Sequence, residues 1–284
     1  MWIAVAVLLA LGAFACNGAG GAGGADPAAP TRSAPAPRGD LPSSMAALGD
    51  SLTAGYGACV APVACPRNSW ATGTGTLVNS HYKRILAGNQ AMRDHARNLA
   101  VPGATVADLP GQASAATGSP ADYVTVLIGA NDACHGDIDA MTGVAEFRSL
   151  LDRALGILKA GLPRARVLVV SIPDVFRVWQ VGHTSSLVTG VWAHGVCPAL
   201  LANAASTAPA DAARRQRFRD RVDAYDTQLA AACAAYGPRC RFDGGTAHGI
   251  AFGLDLLSAL DFFHPNTAGQ NELAGVSYPG RFTW

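Results

Sequence analysis

The chain has 284 residues, half of them hydrophobic and 14% charged, with 21 Lys and Arg against 20 Asp and Glu. That composition is enough for one large domain around a substantial core. A formal net charge of +1 gives no general attraction to nucleic acid or to an anionic membrane, so neither is an expected partner on charge alone.

Residues 1–16 open with "MWIAVAVLLALGAFA", an apolar run that ends in small residues before Cys16. The run is too short for an ordinary membrane span and suits the apolar core of an export signal. Two processing routes stand open: plain cleavage near Ala15, or lipoprotein processing that lipidates Cys16 and tethers the protein to the envelope. Residues 17–44 are Gly, Ala, Pro and Ser with almost nothing to bury, the composition of a disordered linker. The folded domain is expected over 45–284.

From residue 45, short apolar runs alternate with helical patterns. "MAAL" at 45–48 reads as the first strand, and "HARNLA" at 95–100 as a second. "YVTVLIG" at 123–129 and "RVLVVSIP" at 166–173 are β-branched and nearly continuous in apolarity, as buried parallel strands are; "RCRF" at 239–242 is the last candidate. Helices are expected near 77–87, 141–160 and 211–236. In the second, Phe147, Leu150, Leu151, Ala154, Leu155 and Leu158 form one stripe. Such alternation indicates a parallel sheet covered on both faces, with sites beyond the carboxyl ends of its strands. Ser51 follows the first strand and Asn131 follows the third.

Six cysteines remain after Cys16. An even number in an exported chain suggests disulfides. The spacing favours Cys59–Cys65 and Cys233–Cys240 as local loops and leaves Cys134–Cys197 as a long bridge. No C-x-x-C pair or suitably spaced His accompanies them, so no metal is expected. The arginines 214, 215, 217, 219 and 221 alternate with aspartates and read as a solvated helix face. His81, His95, His183, His194 and His248 have no carboxylate at useful spacing and read as surface or loop residues.

Four segments carry chemistry: "GDSLTAGYG" with Ser51, "NLAVPGAT" with Gly103, "IGANDAC" with Asn131, and "DFFHPNTAGQ" with Asp261 and His264. A serine hydroxyl is a weak nucleophile until a base takes its proton, and a histidine oriented by a carboxylate suits that task. The backbone N–H groups of Ser51 and Gly103 and the Asn131 amide could meet a developing oxyanion.

In these blocks and their order the chain resembles the SGNH hydrolases, the GDSL family of esterases and lipases. The resemblance implies a three-layer α/β/α sandwich on a mostly parallel five-stranded sheet, flavodoxin-like. It also implies Ser51 as nucleophile, His264 as base, Asp261 as orienting acid, and Ser51, Gly103 and Asn131 as the oxyanion hole. No cofactor is implied. The expected function is a secreted or envelope-tethered serine esterase or lipase, acting as a monomer on a small-molecule or lipid ester. A carbohydrate O-deacetylase of the same fold is the alternative, and a non-catalytic binding module a more distant one. The insertion at 174–210 resembles that of secreted actinobacterial members. Its Phe176, Trp179, Leu187, Val188, Val191 and Trp192 either wall an acyl pocket or pack the loop onto the body.

Overall fold

The computed structural model describes residues 39–284. The expected export signal, Cys16 and most of the expected linker lie outside the described residues. Packing begins before residue 45: Leu41 is buried, the Asn89 amide donates to the carbonyls of Leu41 and Pro42, and Ser43 donates to Asp122. These contacts take residues 41–44 out of the expected linker and into the domain.

Five strands form one sheet: β1 (Met45–Gly49), β2 (Ala96–Asn98), β3 (Tyr123–Leu127), β4 (Arg166–Val169) and β5 (Cys240–Phe242). The order is β2-β1-β3-β4-β5 and every pairing is parallel, with Met45 opposite both Ala96 and Tyr123. Every residue of β1 and β3 is buried, which is why both read as unbroken apolar runs. The helices are α1 (Ser51–Ala54), α2 (His81–Gly88), α3 (Leu109–Thr117), α4 (Ala130–Ala133) and α5 (Val144–Gly161). They continue with α6 (Val175–Gly182), α7 (Ser186–Trp192), α8 (Pro198–Leu201), α9 (Pro209–Tyr236) and α10 (Thr267–Ser277). Among the described residues no helix is long and apolar enough to cross a membrane.

The chain steps one way from β1 to β2 and the other way from β2 through β5. Right-handed crossovers therefore place α2 on one face and α3, α5 and α9 on the other. The latter three pack side by side, α5 through the buried stripe Phe147, Leu151, Ala154, Leu155 and Leu158. The reversal falls between β1 and β3, and in such sheets the crevice beyond their carboxyl ends is the natural ligand site.

Several side chains expected at the surface are structural. His81 is completely buried and spans α2, β3 and α10, with Nδ1 2.9 Å from the Tyr123 hydroxyl and Nε2 3.1 Å from that of Ser277. Burial lowers its pKa to about 3, so the ring is neutral. The α9 arginines are not one solvated face. Arg215 is buried with its guanidinium 4.4 Å from the Trp179 ring, and Arg219 lies 5.3 Å from the Phe176 ring. Their aliphatic stems and planar heads cover the aromatic side of α6, which a sequence period alone does not reveal.

His248 does have a carboxylate. Its Nδ1 lies 3.0 Å from Asp226 and 2.9 Å from the carbonyl of Ile172, and Asp226 accepts the Ile172 N–H. The hydrogen bond to Asp226 outweighs burial and raises the His248 pKa to about 9. Relative to an ordinary histidine, this contribution to stability is complete below pH ~6.5 and is lost as pH rises toward 9. His248→Gln should therefore lower Tm more at pH 6 than at pH 9.5, as thermal melts by circular dichroism will read; an equal loss at both would show that the charge plays no part.

Candidate active site

β1 delivers Ser51 through a turn that only glycine permits. Gly49 has φ +145°, and a Cβ there would stand 2.1 Å from the carbonyl oxygen of Leu127. The Gln112 side chain seals this turn, accepting from the Gly49 N–H at 2.7 Å and donating to its carbonyl at 2.9 Å. Asp50 caps α1 by accepting the Leu52 N–H at 2.9 Å. Burial pushes its carboxyl up to about 7. From the far side, Gln270 of α10 donates to the Leu52 carbonyl. Ser51 opens α1, so its N–H has no intrahelical acceptor.

The C-terminal segment meets this turn. Asp261 Oδ1 accepts the backbone N–H groups of Phe263 and His264 at 2.9 and 3.0 Å, and its Oδ2 lies 2.6 Å from His264 Nδ1. Phe262 sits between them at φ +51°, a left-handed backbone that costs a β-carbon residue about 1 kcal/mol or more and folds the two side chains together. Burial acts to raise the Asp261 pKa, but His264 and the two N–H groups hold it below the usual carboxylate value. The carboxylate thus stays charged across the neutral range and favours the tautomer with hydrogen on Nδ1. Nε2 is left to accept, and the Ser51 hydroxyl lies 2.9 Å from it. The Tyr56 ring covers the imidazole at 4.7 Å between centroids.

Two openings meet at Ser51. A narrow apolar cleft is lined by Leu52, Pro173, Val175, Val178, Phe252 and Leu257 beside Ser51 and His264. A wider opening is lined by Tyr56, Gly103, Cys134, Cys197 and Asp261. Asn131 borders both. Gly103 stands at φ +84° in the loop after β2, and Asn131 lies in α4 directly after β3. The Asn131 amide spends one N–H on the carbonyl of Ala104 at 2.9 Å and has a second to offer.

The insertion contributes to the cleft differently from expectation. Val175 and Val178 of α6 line it, whereas Trp192 is buried away from it and donates through Nε1 to the carbonyl of Phe262. Trp179 likewise turns its Nε1 to the Ala204 carbonyl, so the insertion's tryptophans pack the loop. Disulfides join Cys59 to Cys65, Cys134 to Cys197 and Cys233 to Cys240, the second on the rim of the wider opening. Among the described residues no group of three or more His, Cys, Asp or Glu is placed to hold a metal ion. Gln112, Gln270 and Tyr56 escaped the sequence reading, since nothing in their spacing distinguishes them from other helix and loop polar residues.

Solved structures share this architecture. An acetylxylan esterase from Geobacillus stearothermophilus, studied as a catalytic mutant, superposes with a TM-score of 0.53 at 15% identity, covering 87% of this chain and 96% of that one. An extracellular lipase from Streptomyces rimosus aligns with a TM-score of 0.49 at 19% identity over 82% and 97% of the two chains. A phospholipase A1 from Streptomyces albidoflavus gives the same values. The likeness to the esterase supports the fold alone. No curated protein matches the chain in sequence. Residues 47–271, which span the Ser51 turn, the Gly103 loop, Asn131 and the Asp261–His264 segment, match the GDSL-like lipase/acylhydrolase family, and the chain belongs to that family.

Proposed function

We propose that this ester hydrolase acts through an acyl-enzyme on Ser51, with His264 as the general base and Asp261 as its orienting carboxylate. The observation that carries the reading is the continuous hydrogen-bonded line Asp261–His264–Ser51, ending where the apolar cleft and the wider opening meet. His264 Nε2 takes the hydroxyl proton as Ser51 Oγ attacks the ester carbonyl. The Ser51 and Gly103 N–H groups and the free Asn131 N–H receive the oxyanion. Collapse expels the alcohol, which leaves with the proton from His264. Water then repeats the sequence on the acyl-serine and releases the carboxylic acid.

The cleft suits a short to medium aliphatic acyl chain, because its walls are aliphatic or aromatic and it is narrow. The alcohol portion then occupies the wider opening. Export to an oxidising compartment accompanies this reading, supported by the three disulfides. Hydrolysis of p-nitrophenyl esters from acetate to palmitate, with acetylated xylan alongside, tests the substrate class. Aliphatic esters should be turned over well and the glycan poorly; the reverse would favour the deacetylase. Val178→Trp should fill the cleft, leaving acetate hydrolysis within about threefold while cutting octanoate hydrolysis by about tenfold or more. An unchanged chain-length ratio would place the acyl chain elsewhere.

A further inference from the structure

The tip of the loop that carries Gly103, residues 101–103, is exposed, while Ala104 and Val106 after it are buried. Gly103 has open space where a side chain would stand, and Val101 and Pro102 beside it are exposed. An oxyanion donor is effective only if its N–H is held in place before the charge develops. Besides the packing of Ala104 and Val106 and the bond from the Val101 N–H to the Gly49 carbonyl, side chains of a neighbouring helix help to fix the loop.

Two consecutive residues of α4 do so. Asn131 donates to the carbonyl of Ala104, and Asp132 Oδ2 accepts the N–H of Val106 at 2.9 Å. Asp132 Oδ1 takes the Thr142 hydroxyl at 2.9 Å, and its carbonyl oxygen accepts the Thr142 N–H at 3.0 Å and the Tyr225 hydroxyl at 3.2 Å. One residue thus joins the Gly103 loop, α4, the entry to α5 and, through Tyr225, α9. Asp132 is completely buried, so it does not touch a substrate. A carboxylate removed from water is costly to keep unless each oxygen is engaged, and here both are.

We infer that Asp132 is a positioning residue for ester hydrolysis: it sets the Gly103 loop against α4 so that the Gly103 N–H and the Asn131 amide converge on one oxyanion. The inference rests on the oxyanion role proposed for those two groups. An amide in its place is uncharged and keeps a single acceptor, so the Val106 N–H exchanges a charge-assisted bond for a weaker neutral one, or loses it when the NH2 end faces the loop. The loop would then be free to shift by a fraction of an ångström while ground-state contacts in the cleft remain.

Asp132→Asn in the full-length protein should lower kcat for p-nitrophenyl acetate by about 10–100-fold with KM within about threefold. The decisive measurement is the same substitution in an Asn131→Ala background. Residues acting through one cradle are coupled, so there the further loss should shrink to about threefold or less. Thr142→Val, which removes one partner from the carboxylate, should lower kcat by about three- to tenfold with KM unchanged, and it carries the test if Asp132→Asn does not fold by circular dichroism. A folded Asp132→Asn protein with normal kcat would overturn the inference. So would a full, additive loss in the Asn131→Ala background, or a Thr142→Val protein of unaltered kcat. Failure of the Ser51 assignment would show separately, as undiminished turnover by Ser51→Ala.

Discussion

Ser51→Ala should lower kcat for p-nitrophenyl acetate by about 10⁴-fold or more, and His264→Ala by a similar factor. The two losses should not multiply in the double variant, because base and nucleophile act as one unit. The geometry gives the reason. His264 Nε2 lies 2.9 Å from the Ser51 hydroxyl, and on the proposed mechanism removing either member leaves no route for the hydroxyl proton. Residual turnover would come from the oxyanion donors and the cleft. Asp261→Asn should cost less than either. Its side-chain oxygen can still accept from the Phe263 and His264 N–H groups, but its charge no longer stabilises the imidazolium. Steady-state kinetics on folded variants read these effects directly.

The second large effect belongs to Asn131. Asn131→Ala should reduce kcat by about 10²–10³-fold while KM changes little, because an oxyanion donor acts on the transition state more than on bound ester. Two N–H bonds vanish together: the one offered to the substrate and the one holding the Ala104 carbonyl. Asn131→Asp separates them poorly, since a carboxylate would repel both the oxyanion and that carbonyl, so alanine is the cleaner probe. A large rise in KM with kcat preserved would move Asn131 from the oxyanion hole to substrate binding.

The parts of this fold that were legible in the sequence are those where chemistry and period coincide. β1, β3 and β4 announce themselves because buried parallel strands must be apolar on both faces, and the α5 stripe because one face meets the core. Ser51, Asn131 and the Asp261–His264 pair, which the fold brings together, stood out as candidates because each stands beside a strand end or within one short motif. Three-residue β2 was faint, for it is only half-buried and contains Arg97 and Asn98.

What stayed hidden depends on contacts between distant segments. His81 and His248 look alike in the sequence, yet one is sealed between Tyr123 and Ser277 while the other faces Asp226. The cleft walls Phe252 and Leu257 come from an irregular stretch with no period to read. Gln112 sits 63 positions from the glycine whose turn it seals. Arg215 and Arg219 gave a sound local pattern and the wrong surroundings, because the insertion that covers them has its own aromatic face.

The central claim is that Ser51 is the attacking atom's residue, and a stoichiometric serine-directed phosphorylating ester such as diethyl p-nitrophenyl phosphate tests it most directly. Intact-mass and peptide mapping should show one adduct per chain, on the peptide containing Ser51, appearing in step with loss of esterase activity and slowed strongly in His264→Ala. An adduct on another serine that tracks the loss of activity, or full inactivation with the Ser51 peptide unmodified, would contradict it.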